Sequence, residues 1–114
     1  MVKPGCYAVI FTSTLHNSEA DGYATAADRM MELAADQPGF LGVDSVRNGT
    51  HGITVSYWRG LDDIAAWKHQ AEHLDAQRRG RDQWYARFDL HICRVKRSET
   101  FSTDENGRAG QPGG

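Results

Sequence analysis

The chain has 114 residues, of which 39% are hydrophobic and 25% charged, and its formal net charge is -2. This length suits one domain, and the composition is typical of a soluble globular protein. Nucleic-acid binding usually needs a basic surplus on one face, whereas the clustered arginines Arg78, Arg79, Arg81 and Arg87 have acidic residues nearby. No segment approaches the ~20 apolar residues of a membrane span, and the N-terminus lacks a secretory signal pattern. We therefore expect a cytoplasmic protein that binds neither nucleic acid nor membranes.

The first 35 or so residues predict a strand followed by a helix. Residues 6–15 are rich in β-branched and aromatic side chains, and both alternating sets contain apolar members, which is typical of a strand covered on both faces. Residues 23–34 carry apolar side chains at spacings of three and four, as an amphipathic helix does, and Ser18 or Asp21 is the expected cap. The helix is expected to end before the Pro-Gly pair that follows.

The middle of the chain predicts a β-hairpin. Residues 40–47 and 53–58 both read as strands, and Asn48-Gly49 between them is a strong turn signal. Gly42 inside the earlier strand suggests a bulge or a close backbone approach.

A second helix and a last strand complete the pattern. Asp62 or Asp63 is expected to cap the helix, and Gly80 is expected to break it. Its inward face consists of Ile64, Trp67, Ala71 and Leu74. Residues 86–95 then form the fourth strand.

This order of elements predicts an α+β, ferredoxin-like βαββαβ subunit, a four-stranded antiparallel sheet with two helices on one face. The other face of the sheet would expose on the order of several hundred Å² of apolar surface, more than a monomer normally tolerates. We therefore expect a homodimer that packs through this sheet face. Residues 1–101 form the single domain, and residues 102–114 have the composition of a flexible tail.

Several short sequence motifs lie within these predicted elements and the segments that join them. They are Pro38-Gly39-Phe40-Leu41-Gly42, Val55-Ser56-Tyr57-Trp58, Trp67-Lys68, and the run from His73 through Gln77, Gly80 and Arg81 to Trp84-Tyr85. Together they resemble the antibiotic biosynthesis monooxygenase family, in its branch of short bacterial proteins, over about residues 6 to 101. The resemblance implies a ferredoxin-like subunit and a dimeric α/β barrel. Family members include cofactor-independent oxygenases of polycyclic quinone precursors and haem-degrading monooxygenases.

The cofactor-independent reaction sets physical demands on a site. The protein must deprotonate an electron-rich aromatic substrate, hold the carbanion beside dioxygen and exclude water. Within the matched motif, His73 is the candidate base, and Arg81 is the candidate group for stabilising an anionic substrate oxygen. The candidate substrate-binding residues are Trp58, Trp67, Tyr57, Trp84, Tyr85 and Gln77. A monooxygenase acting on an aromatic or polyketide-like molecule, with no bound cofactor, is the expected function.

Two other functions stay open. The haem-degrading branch uses an asparagine in the first strand, a tryptophan in the second helix and an axial histidine ten residues later. Trp67 matches this tryptophan, but Phe11 and Gln77 stand at the other two positions. Because one position matches and two do not, haem is the alternative cofactor and not the expected one. The pair His69 and His73 has no specified third ligand, and no metal site is predicted. The other alternative is a non-catalytic small-molecule-binding or stress protein on the same fold.

The candidate residues also have structural interpretations. Trp67 lies on the apolar stripe and fits the core, His73 fits the end of the helix, and Arg81 fits the bracing of a strand carboxylate. A cavity that reaches His73 and Arg81 would favour an enzyme. A cavity filled by Trp58, Trp67 and Trp84 would favour the non-catalytic alternative.

Overall fold

The computed structural model describes residues 2–17, 22–72 and 84–103. These parts contain β1 (Tyr7–Leu15), α1 (Tyr23–Ala35), β2 (Phe40–Asn48), β3 (His51–Trp58), α2 (Leu61–Glu72) and β4 (Tyr85–Arg94). The order is the one predicted, and no strand end differs from its expected position by more than two residues.

The four strands form one antiparallel sheet in the order β2-β3-β1-β4. Both helices pack against the same face, because Ala34 of α1 and Ile64 of α2 meet Trp58 of β3 in one core cluster. Tyr7 and Val9 of β1 also pack against this cluster. The prediction of a ferredoxin-like α+β subunit is therefore confirmed.

The hairpin between β2 and β3 has a glycine at the first position of its turn. Asn48 pairs with His51, so Gly49 and Thr50 form a two-residue loop, and Gly49 has a φ of 62°. A glycine at the first loop position is the pattern of a type II′ turn, whose twist matches that of the flanking strands. The predicted bulge is also present, since the pairing with β3 shifts register between Phe40 and Gly42.

The helix starts differ from the expected caps. Helix α1 begins after Gly22, which has a left-handed φ of 79° and makes no side-chain capping bond. The expected caps Ser18 and Asp21 lie outside the described residues. The prediction that Asp62 or Asp63 caps α2 is wrong, because the helix begins one residue earlier and both lie in its first turn. At these positions their negative charges interact favourably with the positive end of the helix dipole.

Side chains alternate between two faces of the sheet, which we call the helix face and the open face. The open face is defined by the register and carries Ala8, Ile10, Thr12 and Thr14 of β1, His51, Ile53, Val55 and Tyr57 of β3, Asp44, Val46 and Asn48 of β2, and Arg87, Asp89, His91 and Cys93 of β4. Apolar residues on both alternating sets are thus present in β1 and β3, while the open-face set of β4 is polar. Val46 is 70% exposed and Ile53 48% exposed in the single chain.

The chain after β4 adds no further element in its described part. Residues 95–102 belong to no helix or strand, and residues 104–114 of the predicted tail lie outside the described residues. The division into a domain of residues 1–101 and a tail stays a prediction. Of the helices that the structure describes, none has the length and hydropathy to cross a membrane.

Candidate active site

A cavity of about 300 Å³ lies between α1, α2 and the helix face of the sheet. This is the lower end of the volumes typical of small-molecule pockets. Its aromatic lining consists of Phe11, Tyr23, Trp58, Trp67, Trp84 and Tyr85. Small and flexible apolar side chains of α1 form another wall, among them Ala27 and Met30. The described polar lining residues besides the two tyrosines are Ser45, Arg47, Thr54 and Ser56.

One end of the cavity, the aromatic end, is lined by Trp58 and Trp67, and Phe40 packs against Trp58. Trp58 is fully buried and stacks on Trp67, with ring centroids 6.4 Å apart and planes 20° from parallel. Phe40 meets the ring of Trp58 edge-on at 5.5 Å. The indole Nε1 of Trp58 donates a hydrogen bond to Ser56 Oγ at 2.9 Å, which satisfies its one polar atom. These contacts hold a flat apolar wall in one orientation.

The opposite end, the polar end, consists of Ser13, Tyr23, Arg47 and Tyr85. Arg47 Nη2 donates to Tyr23 Oη at 2.9 Å and to Ser13 Oγ at 3.0 Å, and its Nη1 donates to the carbonyl of Thr50 at 3.0 Å. Tyr85 Oη donates to Tyr23 Oη at 3.5 Å. The polar end thus brings together side chains from β1, α1, β2 and β4.

Gly52 of β3 makes room for the guanidinium of Arg47. It is the cross-strand partner of both Arg47 and Ser13. A Cβ on Gly52 would overlap Nη2 and Cζ of Arg47. Because this position has no side chain, the guanidinium of Arg47 can lie across β3 and reach Ser13 on β1.

Electrostatics at the polar end keep Tyr85 in its neutral form. Burial, followed by the hydrogen bond to Tyr23, raises the pKa of Tyr85 well above its usual 10.0, and the nearby charge of Arg47 only partly opposes this rise. At neutral pH Tyr85 is therefore a protonated phenol and a hydrogen-bond donor.

The structure brings some of the predicted site residues together and separates others. The predicted substrate-binding residues that line the cavity are Trp58, Trp67, Trp84 and Tyr85. Tyr57 lies on the open face, because neighbouring residues of a strand point to opposite sides. The three remaining candidates, His73, Gln77 and Arg81, lie outside the described residues.

The position of Trp67 agrees with both of its interpretations, as a core residue and as a wall of the cavity. It is half-buried and packs against the core cluster, and its ring also lines the cavity. The three tryptophans surround open space and do not fill it.

Sequence reasoning missed the polar lining of the cavity. On β2 and β3 these residues are Ser45, Arg47, Thr54 and Ser56, and the register places all of them on the helix face. A signal was present, because polar residues at every second position of a face that two helices must cover indicate a cavity or a buried network. Ser45 and Thr54 satisfy one another through a hydrogen bond of 2.7 Å.

Ligand sets for metals are absent from the described parts of the chain. There, no three histidine, cysteine, aspartate or glutamate side chains come close enough to hold a metal ion. Phe11, which takes the place of the asparagine in the haem-degrading pattern, lines the cavity with an apolar ring.

The fold and the cavity define a ferredoxin-like α+β protein with an aromatic-lined cavity between its helices and its sheet. The family model described as antibiotic biosynthesis monooxygenase matches residues 6–79. The chain therefore belongs to the antibiotic biosynthesis monooxygenase family, as its motifs indicated.

Individual relatives extend the comparison. The chain is 46% identical over 105 residues to the uncharacterized protein YqjZ of Bacillus subtilis, a match that covers 91% of each chain. It is 28% identical over 97 residues to a jasmonate monooxygenase of Pyricularia oryzae; the match covers 81% of this chain and 44% of that protein, so the chain spans less than half of its length. Among solved structures, SnoaB, a cofactor-independent oxygenase from Streptomyces nogalater, has a TM-score of 0.71 at 15% identity, covering 82% of this chain and 96% of its own. At that identity the likeness shows a shared fold.

Proposed function

We propose that the protein is a monooxygenase that oxidises an aromatic or polyketide-like small molecule with dioxygen and without a bound cofactor. The observation that carries the proposal is the cavity on the helix face, whose walls consist mainly of aromatic and aliphatic side chains and contain fewer polar ones. Support also comes from two similar proteins, because one is named a jasmonate monooxygenase and the other a cofactor-independent oxygenase.

The reaction needs an acidic carbon in the substrate. A base removes a proton from an activated CH₂ group, and the resulting carbanion transfers one electron to dioxygen. The two radicals combine to a peroxide anion, which takes up the proton that the base removed. The second C–H proton then leaves as the O–O bond breaks and hydroxide departs, and this proton and the hydroxide form water. The substrate thus supplies all four electrons, and CH₂ plus O₂ becomes C=O plus H₂O. An apolar, aromatic-walled cavity favours this sequence because it holds a flat substrate and keeps water from the carbanion.

The roles of individual residues follow in part from the cavity and in part from the motif alone. The accessible ring of Trp67, which stacks on the buried ring of Trp58, is proposed to hold the flat substrate, and both residues border the cavity. His73 as the base, Arg81 as the partner of an anionic oxygen and Gln77 as a contact are proposed from their places in the sequence motif.

A homodimer is part of the same proposal. The open face carries exposed apolar side chains, Val46 on β2 and Ile53 on the central strand β3, and a second copy packed there would cover them. The variant Ile53→Glu should shift the molecular mass in sedimentation equilibrium from that of a dimer to that of a monomer. The same substitution at Ala66, on the exposed side of α2, should leave the dimer intact. A wild-type protein that sediments as one chain would contradict the dimer.

Oxygen consumption with an anthrone, a three-ring compound with one activated CH₂ group, tests the activity. We expect dioxygen uptake equal to the quinone formed, with protein purified in the presence of a chelator. The variant Ala27→Phe places a ring in the cavity and should abolish turnover. The matched variant Ala24→Phe, one turn away on the exposed side of α1, should retain it.

Other outcomes separate the alternative functions. Equal uptake by both variants would place the reaction outside the cavity. A folded wild-type protein with no uptake from any acidic aromatic substrate would favour the non-catalytic binding protein. A tight complex with added haem, seen as a Soret shift that Ala27→Phe removes, would favour the haem-degrading alternative.

A further inference from the structure

We propose that the polar end of the cavity is an anion-binding subsite, and that the ligand carries an acidic oxygen, a carboxylate or an ionised enol, which docks on Arg47 and Tyr23. This inference rests on the proposed function in taking the cavity's occupant to be the substrate. It adds the chemical class of that substrate and the direction in which it lies.

The first step is the charge inside the cavity. Among the described lining residues Arg47 is the sole charged one, and no carboxylate of the described residues forms an ion pair with it. The ion pairs formed within the described parts of the chain involve other arginines, as with Arg59 and Asp63 at 3.4 Å. A guanidinium that lies beside apolar walls and pairs with no carboxylate of the described residues attracts an anion from the ligand.

The second step is the count of donors at Arg47. A guanidinium has five N–H donors, and three hydrogen bonds, to Ser13, Tyr23 and Thr50, account for three of them. Two N–H groups thus have no acceptor within the described residues. They remain for a ligand oxygen, while the three bonds fix the plane of the guanidinium before the ligand arrives.

The third step is the proton of Tyr23. Its oxygen accepts hydrogen bonds from Arg47 and from Tyr85. Because both of these bonds point to the oxygen, the Tyr23 hydroxyl proton is left to donate elsewhere, and the ring lines the cavity. A ligand anion at this place receives a charge-assisted bond from Arg47 and a second bond from Tyr23.

The geometry of the sheet sets the orientation of the ligand. Gly52, opposite Arg47, lies six residues from Trp58 along β3, a distance of about 20 Å for an extended strand. The acidic group therefore lies at the polar end, and the flat part of the ligand points toward the aromatic end.

Binding measurements with a matched pair of probes test the subsite without turnover. The probes are 2-naphthoate and 2-naphthylmethanol, which share the same rings and differ in the carboxylate. Isothermal titration of the wild-type protein at pH 7.5 should give a dissociation constant about tenfold to a hundredfold lower for 2-naphthoate. The variant Arg47→Gln should bind both probes equally.

Two further variants separate recognition from simple bracing of the fold. Gly52→Ala keeps the charge of Arg47 but displaces its guanidinium, and it should lose most of the preference for 2-naphthoate. Arg29→Gln removes an exposed arginine of α1 that pairs with Glu32, and it should keep the full preference. Circular dichroism establishes that each variant is folded, and Gly52→Ala decides the question if Arg47→Gln does not fold.

Several results would overturn the inference. They are equal affinity of the wild-type protein for the two probes, no binding of either at millimolar concentration, or a preference that survives both Arg47→Gln and Gly52→Ala. The two proposals fail separately. Selective binding of 2-naphthoate without dioxygen uptake contradicts the oxygenase alone, whereas uptake from charged and neutral anthrones with equal KM contradicts the subsite alone.

Discussion

The two ends of the cavity are stabilised by different interactions. At the aromatic end, Trp58 is held by stacking, by edge contacts and by complete burial. At the polar end, Arg47 is exposed and is held by hydrogen bonds to β1, to α1 and to the turn between β2 and β3, and its guanidinium occupies the space above Gly52.

This difference separates stability from recognition. Burial of a large aromatic ring contributes several kcal/mol, whereas a hydrogen bond near solvent contributes about 1 kcal/mol. Substitutions at the aromatic end should therefore change mainly the free energy of unfolding. Substitutions at the polar end should change mainly what the cavity accepts.

The largest expected effect is at the aromatic end. Trp58→Ala should lower the free energy of unfolding by about 3–5 kcal/mol, because the ring is fully buried and leaves a cavity in the core. Urea unfolding followed by circular dichroism measures this loss. Trp67→Ala is the control, since Trp67 is only half-buried and should cost clearly less. An equal or greater cost at Trp67 would show that the core is not centred on Trp58.

The aromatic rings are the part of the cavity lining that the sequence predicted, with Trp58 and Trp67 at the aromatic end and Tyr85 at the polar end. Trp58 closes a strand of alternating pattern, and Trp67 falls on the apolar stripe of a helix, so local periodicity places both on the covered face. The hairpin at Gly49 and the bulge near Gly42 were predictable for the same reason, because each depends on a few adjacent residues.

The polar end depends on contacts that local pattern does not encode. Arg47 stands just before a turn, where arginines are ordinarily solvated, and Tyr23 reads as the first residue of an amphipathic helix. Their meeting depends on the pairing of β2 with β3, which sets Gly52 opposite Arg47, and on the packing of α1 over the sheet. Tyr57 lies on the open face for a different reason: it is one residue from Trp58 along β3, and a one-residue step along a strand changes the face.

The second expected effect tests whether the polar end acts as a unit. In a double-mutant cycle, Arg47→Gln and Tyr23→Phe should show a coupling of about 1 kcal/mol in the free energy of unfolding, because the two groups share a charge-assisted hydrogen bond. Because Arg47 is exposed, this coupling free energy should be smaller than that of a buried pair. Arg47→Gln combined with Trp67→Phe, at the other end, should be additive within about 0.5 kcal/mol. Additive behaviour of the first pair as well would mean that the bond contributes nothing measurable.

The smallest expected effect is a pH dependence from Tyr85. Its pKa is raised in the folded chain, chiefly by burial, so the stability that follows from this rise is fully present below the ordinary pKa of 10.0. Above that pH the unfolded chain loses the phenol proton while the folded chain retains it, and the free energy of unfolding falls. By pH 10.5 the ionisation of Tyr85 in the unfolded chain lowers the free energy of unfolding by less than about 1 kcal/mol. Between pH 8 and 10.5, urea unfolding of Tyr85→Phe should therefore show a shallower decline than that of the wild-type protein. Parallel declines would mean that Tyr85 ionises in the folded state as it does in the unfolded one, and that its hydroxyl is not a protected donor at the polar end.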